Sequence, residues 1–70
     1  MARGWVHTIR KDGAWVNEVE GSLGVPWSRD ASRDAAVDRG KHLARARASM
    51  HVVHGENGEE AERFDYGRGA

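Results

Sequence analysis

Apolar and polar residues alternate with a period of two in Trp5-Val6-His7-Thr8-Ile9-Arg10, which predicts a β-strand. Trp5, His7 and Ile9 share one face of it, and Val6, Thr8 and Arg10 the other. Ala14 to Glu20 predicts a second strand, with Trp15, Asn17 and Val19 on one face and Val16, Glu18 and Glu20 on the other. Lys11-Asp12-Gly13 between them is a tight turn, in which Gly13 supplies the positive φ a short hairpin needs. Gly21-Ser22-Leu23-Gly24 turns the chain again, and Val25-Pro26-Trp27-Ser28 predicts a short third strand. Pro26 has no N–H to donate, so this strand belongs at a sheet edge.

The period then changes. From Ser32 to Ala48, the residues Ala36, Val37, Gly40, Leu43, Ala44 and Arg47 recur at offsets of three and four, which predicts a helix with one narrow face of small residues. Ser32 is a good N-cap. Asp34 and Asp38 lie toward the positive N-terminal end, and Lys41, Arg45 and Arg47 toward the negative C-terminal end. A glycine inside a helix costs about 1 kcal/mol against alanine. Close approach to a sheet is the expected reason for keeping Gly40. The period of two returns in Met50 to His54 and in Glu59 to Tyr66, where Glu60, Glu62, Phe64 and Tyr66 are expected on one face. Asn57-Gly58 between these runs is a strong hairpin signal. The order β-β-β-α-β-β predicts an α+β fold: one domain spanning residues 1–70, its ordered core about 5–67, with an antiparallel sheet packed against one helix.

Size limits that core. The chain has 70 residues, of which 39% are hydrophobic. A domain this short buries only about 60% of its unfolded surface. The helix face is too small to hold five strands, so the three tryptophans or a second copy of the chain are expected to supply the missing burial. A homodimer is the expected state. There is no cysteine, which excludes disulfides and thiol nucleophiles. No apolar run is long enough for a membrane span or a signal peptide, so a cytoplasmic location is expected.

Net charge is zero but unevenly placed. Arg29 to Arg47 holds six basic and three acidic residues, whereas Met50 onward holds two basic and five acidic ones. Charge matching between the helix region and the last hairpin is the expected reading, and a basic surface for an anionic partner is the other.

Candidate chemistry is sparse. On a strand, the odd offset between His51 and His54 sends them to opposite faces, so they should not share an ion. His7 and His54 can face each other only if register allows it. His54 is expected to bond to the backbone of the adjacent turn. Each serine lies at a turn or a helix end, where local hydrogen bonding accounts for it. Nothing matches a phosphate loop or a dinucleotide fingerprint. A chain of this size has little room for a substrate cleft. The expectation is therefore no enzyme, no cofactor, no metal and no small-molecule substrate.

The chain resembles the bacterial and phage family known as domain of unknown function 2188. The resemblance rests on His7 and Ile9, Gly13-Ala14-Trp15, Glu20-Gly21, Ser32 to Val37, Gly40 to Ala44, the Val52-Val53-His54-Gly55-Glu56-Asn57-Gly58 hairpin, and Tyr66-Gly67. The chain departs from it at Asn17, His51 and Glu60, where the family usually has apolar residues. The resemblance implies the same fold and no particular activity.

What remains is binding. Self-association or a protein partner comes first, with Trp5, Trp27 and Arg29 as the expected contact residues, because Trp and Arg are enriched at binding hot spots. A nucleic acid held by Arg10, Lys11, Trp27 and Arg29 comes second, since phosphate binding draws on an excess of positive charge that this chain lacks.

Overall fold

The computed structural model describes residues 4–22 and 25–67. Its elements are β1 (Val6–Lys11), β2 (Ala14–Val19), β3 (Ser28–Asp30), α1 (Arg33–Arg47), β4 (Met50–His54) and β5 (Glu60–Asp65). The sheet order is β3-β2-β1-β4-β5. The architecture is α+β, as the periodicity predicts, but the sheet is mixed. β1 pairs antiparallel with β2, β2 with β3 and β4 with β5, whereas β1 and β4 are parallel. The cause is the helix. Fifteen helical residues rise about 22 Å, close to the roughly 20 Å of a six-residue strand. The helix therefore carries the chain from the end of β3 back to the end where β1 begins.

The first hairpin closes through Asp12 (φ 52°) and Gly13 (φ 79°), both left-handed, with Lys11 opposite Ala14. This is the two-residue turn whose twist matches that of the strands. The third strand differs from expectation. It starts at Ser28, after Pro26 and Trp27, because pairing resumes only beyond the residue that lacks an N–H. Trp27 still donates its N–H to the Asn17 carbonyl at 2.7 Å. Leu23 and Gly24 of the expected preceding turn lie outside the described residues.

The Ser32 hydroxyl accepts from the Ala35 N–H at 3.1 Å. Ala48, in the left-handed conformation, ends the helix by donating its N–H to the Ala44 and Arg45 carbonyls. Of the expected apolar face, Ala36, Gly40 and Ala44 are buried, Val37 and Leu43 half-buried, and Arg47 exposed. The helix packs over β1 to β4 and not over β5. Strand register then divides the sheet into two sides. Val6, Thr8, Trp15, Asn17, Val19, His51 and Val53 lie under the helix. Trp5, His7, Ile9, Val16, Glu18, Glu20, Val52 and His54 lie on the open side.

The buried apolar residues are Val6, Ala14, Trp15, Val16, Val19, Ala36, Ala44, Val52 and Val53; among them Val6, Val19 and Ala44 form a cluster with Leu43 and Tyr66 at its margin. The tryptophans do not jointly complete it. Trp15 is buried, Trp5 is half-buried on the open side, and Trp27 is 53% exposed. Each instead carries an arginine over its ring: Arg33 on Trp15 at 5.8 Å, Arg63 on Trp5 at 5.2 Å and Arg47 on Trp27 at 5.5 Å. These are cation–π contacts. A register shift at Val53/His54 places Glu60 opposite His54, which removes it from the face expected to hold Glu62, Phe64 and Tyr66.

Candidate functional site

The open side of the sheet brings together three groups far apart in sequence. β1 supplies His7, the end of β2 supplies Glu20, and β4 supplies His54. His7 Nε2 lies 2.6 Å from Glu20 Oε2, and His7 Nδ1 lies 3.0 Å from His54 Nε2. His54 Nδ1 lies 3.1 Å from the Gly58 carbonyl, the expected bond to the adjacent turn. The result is an unbroken line from a carboxylate through two imidazoles to a backbone oxygen.

Donor and acceptor chemistry fixes its proton count. A carbonyl only accepts, so His54 Nδ1 carries a hydrogen. The His7–His54 contact needs one hydrogen between two ring nitrogens, and the contact between His7 and Glu20 needs another. Two neutral imidazoles supply two hydrogens in total, and the line has three contacts. The third contact is filled only when Glu20, His7 or His54 carries a further proton. The side chains of His7 and Glu20 are 21% and 29% exposed, so the line sits at the edge of solvent.

Beside the line, Glu18 is buried and accepts from Lys11 Nζ at 3.1 Å. An open groove of about 510 Å3 is lined by His7, Ile9, Glu18, Glu20 and His54. It is roomier than chain length leads one to expect. All four ring nitrogens of the two histidines are engaged within the line, and no hydroxyl or thiol lines the groove. The arrangement can hold and share a proton, and it can tie the last hairpin to β1 and β2. Among the described residues, no group of three or more His, Asp or Glu side chains is placed to hold a metal ion.

His51, three residues before His54, points the other way, as the odd offset requires. Thr8 donates its hydroxyl to Asn17 Oδ1 at 2.5 Å, so His51 Nε2, at 2.7 Å from the same hydroxyl oxygen, is the donor in the second contact. Asn17 Nδ2 continues to the Ser28 hydroxyl at 2.9 Å and to the Ala36 carbonyl of the helix at 2.8 Å. His51 Nδ1 is buried without a partner. Burial, and after it the nearby His7, push the His51 imidazole down from 6.5 to about 4. Gly40 sits directly over this layer. A Cβ there would lie 2.5 Å from Asn17 Oδ1 and from His51 Nε2, and 2.7 Å from Thr8 Oγ1. Close approach to the sheet is thus the reason for the glycine.

The residues expected to form a partner surface are not assembled into one. Trp5 lies on the open side under Arg63, whereas Trp27 lies on the helix side, in a second groove of about 290 Å3 with Ser28, Arg39, His42 and Leu43. Arg29, on β3, reaches the Asp12 carbonyl at 3.5 Å. Of the residues considered for nucleic acid, Arg10 faces Glu56 at 3.5 Å and Lys11 faces Glu18 at 3.1 Å, so both have a carboxylate beside them. The expected charge match between helix and hairpin appears at one pair, Arg33 with Glu62 at 3.9 Å. Arg39 pairs instead with Asp30 at 3.1 Å.

His7, Glu20 and His54 all belong to the segments that carry the family resemblance, and the possible facing of His7 and His54 and the bond of His54 to the adjacent turn were the other sequence signals pointing to their line. No helix among the described residues is long and apolar enough to cross a membrane. No curated protein and no solved structure matches the chain. The model of one bacterial family does match, over residues 6–66, and the chain belongs to that family, DUF2188, described as an uncharacterized protein conserved in bacteria.

Proposed function

We propose that this protein is a small non-enzymatic binding module that works by associating with a second copy of itself or with a protein partner, in the cytoplasm. One observation carries the reading: the exposed large apolar side chains gather at the two edges of the sheet. Val25 and Trp27, 66% and 53% exposed, lie just before β3, and Phe64, 39% exposed, lies on β5. Single exposed apolar residues are ordinary. Here they coincide with strand edges, whose unpaired backbone groups are where chains add to one another. Trp27 also fits a hot-spot anchor, since its backbone is held by Asn17 while its ring remains open beside a groove.

Nucleic acid is the second reading, and one pair of measurements separates the two. Light scattering gives the solution mass, and binding to duplex and single-stranded DNA is followed at two salt concentrations. The expected result is a mass above that of the monomer and no salt-dependent DNA binding. A monomer that binds DNA with a steep salt slope overturns the proposal, because that slope counts phosphate contacts.

A further inference from the structure

The last hairpin joins the rest of the sheet along a short seam. β1 and β4 pair at Val6↔His51, His7↔Val52 and Thr8↔Val53. The register shift at Val53/His54 follows directly, and the helix does not pack over β5. Toward the turn, side chains continue the attachment. Arg10 with Glu56 at 3.5 Å and Arg33 with Glu62 at 3.9 Å are long pairs between exposed groups. Pairs of that kind contribute little. His7 Nδ1 with His54 Nε2 at 3.0 Å is short and lies between half-buried rings.

Donor and acceptor chemistry makes this contact conditional on protonation. It needs one hydrogen between the two nitrogens. One proton added to either ring preserves it. A charged His7 donates from Nδ1 to the bare Nε2 of His54, and a charged His54 donates from Nε2 to the bare Nδ1 of His7, while His7 Nε2–H stays on Glu20. Two added protons do not preserve it, because both facing nitrogens then carry hydrogens on positive rings. We propose that the His7–His54 contact is a pH-sensitive latch, which holds the last hairpin onto β1 while the pair carries at most one added proton and releases it when each ring carries its own.

The surrounding charges fit that limit. Glu18 lies opposite His7, with Lys11 on it at 3.1 Å, and Glu20 follows on the same side. Glu60 of β5 lies opposite His54, held at 2.9 Å by Arg63, whose guanidinium also covers Trp5. Further along the hairpin are Glu56, beside Arg10, and Glu59, beside Gly55. His51 and the helix lie on the other side of the sheet. The carboxylates of Glu18, Glu20 and Glu60, set against Lys11 and Arg63, leave one negative charge around the pair. One added proton balances it and a second exceeds it. An open hairpin lets each ring take its proton in water, so falling pH favours opening.

NMR on the full chain tests the latch between about pH 7.5 and 5. That span crosses the ordinary imidazole range near 6.5 and stays above the value of about 4 for His51. The ring centroids are 5.2 Å apart, so a ring-to-ring nuclear Overhauser effect is expected near neutral pH and should fade as both rings become charged. Hydrogen exchange at Val52, Val53 and His54, corrected for its intrinsic pH dependence, should rise at least tenfold while the helix amides stay protected. His54→Gln puts a neutral amide in place of one ring, and His7→Gln does so for the other, so neither variant should show the rise. The latch lies within one chain, and these results do not depend on self-association. Rings that are both charged and still in contact overturn it, as does a seam that stays protected down to pH 5. So does exchange that rises equally in both glutamine variants, or that rises in the helix at the same pH, which is unfolding of the whole chain.

Discussion

His51 and His54 lie three residues apart on one strand and behave in opposite ways. His51 lies on the covered side of the sheet, sealed by the helix, bonded to Thr8 and pushed toward its neutral form. His54 lies on the open side, in a line that ends on a carboxylate. Both are polar groups in a protein with little apolar core. Under the helix there is no room for a counter-ion, so the polar layer is built from neutral groups. On the open side water is close and Glu20 is within reach, so charge can be kept and shared. The contrast shows that the cover, rather than the residue type, decides how a polar group is accommodated in this sheet.

The largest effects should come from disturbing the cover. Trp15 is buried beneath the start of the helix and Trp27 is half open at its far edge. Truncating a buried aromatic to alanine costs about 3–5 kcal/mol, so Trp15→Ala is expected to unfold much of the protein at room temperature. Trp27→Ala should cost under about 1 kcal/mol while weakening capture of a protein partner. Urea titrations of the two variants compare them directly, and similar midpoints would contradict the division into a covered and an open aromatic. Gly40→Ala sharpens the point. Helix propensity alone would favour alanine by about 1 kcal/mol. The added methyl would collide with three buried atoms that bond to one another and cannot retreat. A net loss of about 2 kcal/mol is expected, and a gain in stability would show that the polar layer yields.

The covered histidine should also leave a mark on acid stability. A group whose folded pKa is about 4, against 6.5 when free, binds a proton more readily in the unfolded chain. Its contribution to stability is therefore complete above about 6.5 and is lost as the pH falls toward and below 4, by about 3 kcal/mol in all. His51→Leu removes the group while Thr8 keeps its bond to Asn17. The difference between wild-type and variant stability, followed from pH 7 to pH 4, should change by that amount. Carboxylates common to both proteins cancel in the difference, so a flat difference curve would mean that His51 is not sealed.

Much of this was legible in the residues. The helix bounds follow from periodicity, its Ser32 cap from capping chemistry, and Gly40 announced a close approach, whereas Ala48 is not a residue that capping chemistry would choose for a left-handed cap. The hairpin turn at Asp12-Gly13 even sets His7 opposite Glu18 and one position from Glu20. The direction of β4 was not legible. It depends on which end of the sheet the helix returns to, a tertiary fact, and without it His54 cannot be placed beside His7. The polar layer was hidden for a related reason: Thr8, Asn17 and His51 come from three strands and read separately as ordinary alternation. The third strand was misplaced because Trp27 next to Pro26 looks like strand sequence, whereas the missing N–H delays pairing to Ser28.

The smallest effect tests the open side. In every proton arrangement the line allows, His54 Nδ1 carries a hydrogen, because its partner is the Gly58 carbonyl. Nitrogen NMR should therefore show His54 protonated at Nδ1 throughout the range in which the fold is intact. A neutral ring protonated only at Nε2 would break the line. Glu20→Gln then separates the charge of the carboxylate from its shape. The amide N–H can donate to His7 Nε2, His7 Nδ1 to His54 Nε2, and His54 to Gly58, so the variant satisfies every contact with two neutral rings. It should keep the hairpin in place and lose only about 1 kcal/mol, the margin of a charge-assisted hydrogen bond over a neutral one. A loss several times larger would show that the line depends on the carboxylate's charge, and the two sides of the sheet would no longer differ in the way the histidines imply.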